Sequence, residues 1–242
     1  MRKAAASATA AVSASAENTR RQRDSKDAMT KRLILVAGNI GAGKTSLTER
    51  LGERLGWKTG YESVADNPYL ADFYGDMTAW SFHLQVFFLG HRAEQHILAA
   101  ERSDSVILDR SIYEDFYIFT RALRSADAIN ERDYDSYKGV YELIIAQLPA
   151  PDLLLYLRAP VDVLMDRIQS RGREMESGIS TEYLTLLDSF YEEWIAKVDL
   201  CPVLTIPSDD LDFVNKPSHL DIVIERINHT LAGKDEVVFP KS

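Results

Sequence analysis

The chain has 242 residues, of which 45% are hydrophobic and 27% charged, and its formal net charge is -9. This length and apolar content fit one α/β domain with a sizeable core. The acidic balance excludes a general attraction to nucleic acid or to anionic membranes, so a bound phosphate must meet a local cluster of positive charge.

The first 30 residues are rich in Ala and Ser and contain no aromatic residue. Their basic residues are typical of an organelle transit peptide, but Glu17, Asp24 and Asp27 interrupt that pattern. The composition favours a disordered leader or an over-long start, with Met29 as an alternative beginning. At the other end, residues 233–242 are expected to form a short tail.

From Arg32 onwards, short apolar runs alternate with longer helical stretches, which predicts β-α units on a parallel sheet. Near-continuous runs of Val, Ile and Leu indicate strands that are covered on both faces. The predicted strands are Leu33–Ala37, Lys58–Tyr61, Ser105–Leu108, Leu153–Leu157 and Val203–Ile206. The predicted helices are Lys44–Leu55, Thr78–Ala100, Ile112–Leu123, Asp133–Gln147, Val161–Ser170, Thr181–Val198 and Ser218–Leu231. We expect residues 31–232 to form one domain, since no repeat or Gly/Ser linker divides them.

Two further features concern the setting of this domain. The only cysteine is Cys201, so an internal disulfide is impossible and a reduced, cytoplasmic setting is expected. No apolar run approaches the length of a membrane span.

A glycine-rich segment follows the first predicted strand and opens the first predicted helix. Gly38 and Gly43 enclose four residues and precede Lys44 and Thr45, which is the P-loop pattern in its strand–turn–helix context. Glycines allow successive N–H groups to face one anion, and the helix adds its positive end. We expect Lys44 to reach the β- and γ-phosphates of ATP and Thr45 to ligate Mg²⁺. The predicted nucleotide-binding residues are Gly38, Asn39, Ile40, Gly41, Ala42, Gly43, Lys44, Thr45 and Ser46.

The P-loop alone does not distinguish kinases from ATPases and GTPases. A guanine-reading segment would place an acidic residue after Asn/Thr-Lys-x, but Asn215 and Lys216 are followed by Pro217 and Ser218. The sequence therefore disfavours a switch GTPase.

An arginine cluster ends the helix after the fourth predicted strand. Arg167 and Arg171 are four residues apart and share a helix face, and Gly172 can end the helix and turn Arg173 toward the same target. Three converging guanidiniums would stabilise phosphate charge in a transition state. The alternative is a solvated basic helix end that complements the helix dipole.

Acidic residues follow the second and third predicted strands. Ligands bind at the carboxyl ends of the strands in open parallel sheets, so Glu62, Asp109 and Arg110 are expected near the P-loop. Glu62 is the candidate general base for a hydroxyl acceptor, with a plain surface glutamate as the alternative. Asp109 is expected to hold Mg²⁺ directly or through water, and Thr45, Asp109 and Glu62 are the candidate metal ligands. An exposed Asp109–Arg110 ion pair of little consequence is the alternative for those two residues.

Together these ordered motifs resemble the deoxyribonucleoside kinase family, which includes deoxycytidine, deoxyguanosine and deoxyadenosine kinases. The resemblance covers about residues 32–232. It rests on Gly38–Thr45, Glu62, Trp80–Gln85, Asp109–Ser111 and the lid Arg167–Arg173. It implies a P-loop three-layer fold, in which helices cover both faces of a five-stranded parallel sheet, and a homodimer paired through helices.

The resemblance also implies roles for individual residues. Glu62 looks like the general base on the 5′-hydroxyl, with Arg110 as its partner, and the lid arginines look like those that close over ATP. The other roles concern the acceptor: Gln85 would read the base edge, Phe119 would stack on the base, Tyr74 and Glu176 would bind the 3′-hydroxyl, and Arg92 with Asp115 would form the charged pair of the deoxycytidine and deoxypurine branch.

Substrate preference follows from the same comparison. Gln85 offers a donor and an acceptor, which suits adenine or cytosine, although a helix Gln that binds another polar group is the alternative. The stretch from Phe82 to Leu89 resembles bacterial deoxyadenosine and deoxyguanosine kinases, and this favours a purine deoxynucleoside. Trp80 and Phe88 are interpreted as packing residues. Two other functions remain open, namely a nucleoside monophosphate kinase and a non-catalytic nucleotide-binding subunit of the same fold.

Overall fold

The computed structural model describes residues 31–61, 67–173, 176 and 178–233. From Arg32 onwards the chain belongs to one compact unit. The predicted leader, most of the predicted tail and Glu62 lie outside the described residues.

The unit is built on a five-stranded parallel sheet, as predicted. Its strands, in the spatial order β2-β3-β1-β4-β5, place β1 at the centre. Their bounds are β1 Leu33–Gly38, β2 Lys58–Gly60, β3 Val106–Asp109, β4 Leu153–Arg158 and β5 Val203–Pro207. Every residue of β1 and β3 is buried, in agreement with their continuous apolar sequences.

Helices cover both faces of this sheet. In chain order they are α1 Lys44–Leu55, α2 Leu70–Gly75, α3 Met77–Glu101, α4 Ile112–Glu114, a π-helical segment Asp115–Thr120, α5 Arg121–Ser125, α6 Glu131–Ile145, α7 Val161–Arg171, α8 Thr181–Ile195 and α9 Pro217–Ala232. The short helix α2 was not predicted. The predicted helix Ile112–Leu123 is divided by the π-helical segment, and α8 ends before the predicted Val198.

The central strand divides the core into two layers. Leu33, Leu35 and Ala37 pack with side chains of α3, α6 and α8, whereas Ile34 and Val36 pack with side chains of α1, α7 and α9. This alternation follows from the two-residue period of a strand. A smaller cluster around Phe73 and Leu84 includes Trp80 and Phe88, in agreement with their predicted packing role.

In the part of the chain that the structure describes, no helix is both long enough and apolar enough to span a membrane.

Candidate active site

The carboxyl ends of neighbouring strands bring the P-loop and the acidic motif together. Strands β1 and β3 are paired in parallel, with Val36 opposite Asp109. The Thr45 hydroxyl donates a hydrogen bond to Asp109 Oδ2 at 2.5 Å, and Asp109 is buried. Asp109 is therefore a buried residue next to the P-loop threonine, and it is not the exposed residue of its alternative interpretation.

Two positions of the P-loop require glycine because the loop packs closely against a neighbouring strand and a neighbouring helix. A Cβ on Gly38 would lie 2.6 Å from the backbone oxygen of Leu157 in β4. A Cβ on Gly41, whose φ is 84°, would lie 2.9 Å from the backbone oxygen of Leu164 in α7. Only glycine therefore lets the loop lie this close to β4 and α7.

The N-terminus of α1 points its first N–H groups toward the loop. Gly43 precedes the helix with φ at 94°, no side chain of the described residues caps it, and its first turn has no acidic residue. Lys44 is buried, and its Nζ donates to Gly38 O at 2.8 Å and to Asn39 O at 2.9 Å. The ammonium group thus lies within the loop, where a helix N-terminus favours an anion.

Asn39 connects the loop to α8. Its Nδ2 donates to Leu184 O at 3.0 Å, and its Oδ1 accepts from Ile40 N at 2.8 Å. Asn39 is nearly fully buried, so both bonds are shielded from water. The loop conformation is therefore held by a side chain as well as by its glycines.

Arg110 has an unusual backbone conformation next to Asp109. Its φ is 74°, which costs a non-glycine residue on the order of 1–3 kcal/mol. Its N–H donates to Val36 O at 2.9 Å, and its guanidinium lies 4.5 Å from the centre of the Phe119 ring. Arg110 therefore connects the strand end to the aromatic residue that the resemblance assigns to base stacking.

A buried carboxylate that the sequence analysis did not single out follows this motif. Glu114 accepts hydrogen bonds from Gly38 N, from the backbone N and hydroxyl of Ser111, and from the Tyr191 hydroxyl. Burial and the nearby Glu114 raise the pKa of Tyr191 well above its usual value. The Ser111–Glu114 pair is a capping box, which the sequence S-x-x-E could have indicated.

The residues predicted to read the base meet between α3 and the π-helical segment. Arg92 Nε lies 2.7 Å from Asp115 Oδ2, and both side chains are only 3% exposed. Gln85 Oε1 accepts from Thr120 Oγ1 at 3.2 Å. Thr120 also contacts the Asp115 carbonyl five residues earlier, at 2.7 Å, and contacts of this spacing occur in π-helical turns, which are frequent at functional sites. Thr120 was missed because a π-helical turn has no established sequence signal.

The ionisation of Tyr183 is affected by burial, by Arg110 and by Tyr74. Burial raises the pKa of Tyr183 to about 12, the Arg110 charge opposes this rise, and Tyr74 adds to it. Tyr183 is on α8, and Tyr74 is half exposed on α2. Sequence analysis missed Tyr183 because its position in α8 is equally consistent with packing.

The lid arginines do not all share one target in this structure. Arg171 Nη2 and Nε lie 2.5 and 3.2 Å from Glu176 Oε2, and Arg173 Nη1 lies 3.5 Å from Glu176 Oε1. Arg167 instead donates to Ser208 O at 2.6 Å and to Ser208 Oγ at 3.3 Å, in the turn after β5. Arg171 and Arg173 therefore share one carboxylate, Arg167 contacts a different element, and the convergence of all three on a phosphate stays a prediction.

Comparison with known proteins supports the same family. A family model described as "Deoxynucleoside kinase" matches residues 34–232. The "Deoxyadenosine/deoxycytidine kinase" of Bacillus subtilis is 38% identical over 197 residues, which cover 81% of this chain and 91% of that protein. The "Deoxyguanosine kinase" of Lactobacillus acidophilus is 39% identical over 204 residues, which cover 81% and 89%.

A solved structure of deoxyadenosine kinase from M. mycoides, with the products dCMP and a flexible dCDP bound, superimposes with a TM-score of 0.73 at 27% identity. The match covers 81% of this chain and 99% of that structure. The family match, the curated relatives and the shared fold lead to one conclusion: this chain is a kinase that belongs to the deoxynucleoside kinase family.

Proposed function

We propose that this kinase transfers the γ-phosphate of ATP to the 5′-hydroxyl of a purine deoxyribonucleoside, deoxyadenosine or deoxyguanosine, with deoxycytidine as a further candidate. The observation that carries the proposal is a series of neighbours: Asp109 contacts Thr45, Arg110 contacts Phe119, and Phe119 is in the π-helical segment that provides Asp115 of the buried Arg92–Asp115 pair. It connects a phosphate-binding loop to a polar site in which the cation is already neutralised.

The chemistry requires an attacking oxygen, a proton acceptor and stabilisation of the transferred group. The 5′-oxygen forms a bond to the γ-phosphorus, the bond from that phosphorus to the β–γ bridging oxygen breaks, and the products are ADP and a deoxynucleoside monophosphate. Glu62 takes the proton of the 5′-hydroxyl in this proposal, and it follows β2 by two positions in the chain. Lys44 and the lid arginines stabilise the charge on the transferring phosphoryl group.

The oxygen atoms of Thr45 and Asp109 fit a Mg²⁺ ion. Both are hard ligands of the kind that Mg²⁺ prefers, and they lie within hydrogen-bonding distance of each other. In this proposal Glu62, phosphate oxygens and water would provide the remaining ligands. When bound, the ion would neutralise negative charge on the ATP phosphates.

The acceptor side supports an uncharged nucleoside over a nucleotide. A nucleoside monophosphate acceptor needs cations that are available to its phosphate, whereas Arg92 is paired with Asp115 in a buried site. Gln85, held by Thr120, offers amide groups to a base edge. These contacts favour the deoxynucleoside kinase proposal over the monophosphate kinase alternative.

The relatives support deoxyadenosine, deoxyguanosine or deoxycytidine as the acceptor. The names of the two relatives reported above include deoxyadenosine, deoxycytidine and deoxyguanosine, and the solved neighbour is a deoxyadenosine kinase with dCMP bound. Thymidine is absent from all three descriptions. The retained Lys44 and the three lid arginines also argue against a non-catalytic subunit.

The test is a phosphate-transfer assay with ATP, Mg²⁺ and each of the four deoxynucleosides, repeated with Glu62→Gln. We expect kcat/KM for deoxyadenosine or deoxyguanosine to exceed that for thymidine. The variant is expected to lose about 10²–10⁴-fold in kcat while its melting temperature is unchanged. Dominant phosphorylation of thymidine would contradict the purine proposal, and a fully active variant would remove Glu62 from the role of base.

We also propose a homodimer that pairs through α3 and α6. Both helices expose apolar side chains and a glycine, and open space surrounds each of these glycines, Gly90 and Gly139. An exposed glycine with open space beside it allows a second helix to approach closely. The exposed apolar side chains are Val86, Ile97 and Leu98 on α3 and Val140 and Leu143 on α6.

The dimer is tested by light scattering over a range of concentrations. We expect Leu143→Lys to convert the dimer into a monomer, because Leu143 is the most exposed of these side chains. Ile222→Lys is the matched control, since Ile222 is also exposed but lies on α9. A wild-type protein that is monomeric at all concentrations would contradict the dimer.

The ends of the chain and its location complete the proposal. In this proposal residues 31–232 form the catalytic domain, residues 1–30 are a leader or an over-long start, residues 233–242 are a tail, and the protein is cytoplasmic. The single cysteine supports a reducing compartment. A chain that begins at Lys31 is expected to keep the wild-type kcat, and a fluorescent fusion is expected to stay in the cytoplasm. A large loss of activity on truncation would contradict the leader.

A further inference from the structure

A buried carboxylate and a buried phenol join the P-loop to the Asp109–Ser111 motif. Glu114 and Tyr191 are both completely inaccessible to solvent. One oxygen of Glu114 accepts from Gly38 N at 3.3 Å and from the Tyr191 hydroxyl at 2.7 Å, and the other accepts from Ser111 N at 2.8 Å and Ser111 Oγ at 3.2 Å. A buried carboxylate needs such donors because its desolvation is costly.

The Tyr191 hydroxyl lies within hydrogen-bonding distance of two acceptors, but it can donate to only one of them at a time. Tyr191 Oη lies 2.8 Å from Gly38 O and 2.7 Å from Glu114 Oε1, but a phenol carries only one proton. Gly38 O also accepts from Lys44 Nζ at 2.8 Å. Gly38 O therefore has two donors within reach, and Tyr191 has two acceptors within reach.

We propose that Tyr191 is a positioning residue whose hydroxyl replaces Lys44 as the donor to Gly38 O when Lys44 turns to the phosphates of ATP. The inference rests on the proposed function, because that function moves the ammonium group to phosphate oxygens. Before the nucleotide binds, Lys44 donates to Gly38 O and Tyr191 donates to Glu114. Afterwards the Tyr191 proton turns to Gly38 O, and Glu114 keeps its three donors from Gly38 N and Ser111.

The exchange matters for ATP affinity because Gly38 O lies in the dry part of the site. A buried carbonyl that loses its donor opposes the change that removed it. When Lys44 moves to the phosphates, Gly38 O loses the ammonium group as a donor. Without the Tyr191 hydroxyl, no phenol donor would replace it. The hydroxyl thus favours the phosphate-bound position of Lys44 although it touches no phosphate.

The ring of Tyr191 is held independently of its hydroxyl. It stacks on the Tyr156 ring with centroids 5.8 Å apart, and its centroid is 6.3 Å from that of Trp194. Tyr191→Phe therefore removes the hydroxyl and keeps the packing. Tyr156→Phe is the matched control, because the Tyr156 hydroxyl lies in the same stack but donates to Glu192 Oε1 at 3.2 Å.

A double-mutant cycle with Lys44→Met isolates the exchange. We expect Tyr191→Phe to raise the calorimetric Kd for ATP by about tenfold, the worth of one hydrogen bond, and to leave the KM for the deoxynucleoside unchanged. In the Lys44→Met background, the same change is expected to alter the Kd by less than about twofold, since no ammonium group leaves Gly38 O. Tyr156→Phe is expected to leave the Kd at its wild-type value.

The cycle separates this inference from the proposed function. An equal loss of ATP affinity in both backgrounds, or no loss in either, would overturn the exchange while wild-type phosphate transfer still supported the kinase. A lower melting temperature with unchanged ATP affinity would show a structural role only and would also overturn it. A wild-type protein that neither binds ATP nor transfers phosphate would remove the proposed function, and the exchange with it.

Discussion

The P-loop side and the lid side of the site hold their cations in opposite ways. Lys44 is 7% exposed and donates to two backbone carbonyls. Arg171 and Arg173, by contrast, have side chains that are 36% and 53% exposed, and both contact one carboxylate, Glu176. On one side the cation is buried and held by the main chain, whereas on the other the cations are exposed and held by one carboxylate that is only 11% exposed.

This difference indicates that the two sides bind phosphate in different ways. Lys44 is already buried inside the loop before the substrate arrives, so it needs only to turn from Gly38 O to the phosphates. Glu176 is only 11% exposed, but both of its arginine partners face water, and ion pairs with exposed partners are weaker than buried ones, so a phosphate can replace Glu176 as their partner. We infer that the P-loop side is a preformed anion site, and that the lid arginines can exchange one negative partner for another.

The largest effect is expected where burial is deepest, at the Arg92–Asp115 pair. Asp115→Asn leaves the Arg92 charge buried without its counter-charge, and we expect the free energy of unfolding to fall by about 3–5 kcal/mol. Urea denaturation measures this loss. The matched control is Asp221→Asn, because the Arg54–Asp221 pair has a similar length, 3.1 Å, but is more than half exposed.

The control is expected to change the stability by less than about 1 kcal/mol. Equal losses in the two variants would show that burial does not decide the worth of ion pairs in this protein, and the comparison between the two sides would fail with them.

The next effect concerns the preformed side. Lys44→Met removes the buried ammonium group, and we expect kcat/KM for phosphate transfer to fall by about 10²–10³-fold. Lys197→Met is the control, because Lys197 is exposed and pairs only with Glu193 among the described residues. Transfer that survives Lys44→Met within tenfold of wild type would contradict a preformed cation at the P-loop.

The sequence predicted the two sides with unequal success. The P-loop is contiguous, so Gly38 to Thr45 reveal their geometry through a local pattern of glycine, strand and helix. The proximity of Thr45 and Asp109 could be predicted from the rule that the carboxyl ends of parallel strands meet at one edge of the sheet. Arg92 and Asp115 were identified through family resemblance, and the structure places them in direct contact.

What could not be predicted depends on how helices pack. Glu114 and Tyr191 are 77 residues apart, and they meet only because α4 and α8 cover the same face of the sheet. Thr120 reaches the Asp115 carbonyl because the helix is locally π-helical. The periodicity of the sequence does not predict such a segment. The direction of Arg167 toward Ser208 depends on the turn after β5, so its position on the same helix face as Arg171 was not sufficient.

A smaller effect is expected on the lid side. Arg171→Ala removes one exposed guanidinium, and we expect kcat to fall by about 10–10²-fold while the melting temperature stays within 1 °C of wild type. Arg132→Ala is the control, since Arg132 is largely exposed on α6. A clear loss of stability in Arg171→Ala would show that the Glu176 contact is structural, and would contradict an exchangeable lid.

The smallest effect is a pH dependence within α3, the helix that carries Gln85 and Arg92. Burial lowers the pKa of His96 below its usual value, and a hydrogen bond from His96 Nε2 to Pro149 O at 2.8 Å only partly opposes this shift. The unfolded chain therefore binds a proton more readily than the folded protein as the pH falls below about 6.5. The contribution of neutral His96 to the free energy of unfolding is fully present above that pH. It is lost as the pH falls toward the pKa of His96 in the folded protein.

We expect the free energy of unfolding to decrease from pH 7.5 to pH 5, by less than Asp115→Asn removes at neutral pH. His96→Gln is expected to reduce the decrease, because the buried side chain no longer titrates, whereas His229→Gln, at an exposed position near the end of α9, is expected to keep it. Identical pH profiles for wild type and His96→Gln would show that burial of this imidazole does not govern acid stability. A charged imidazole at position 96 would then not destabilise the packing of α3. Burial would in that case determine the effect of charge at the Arg92–Asp115 pair but not at His96.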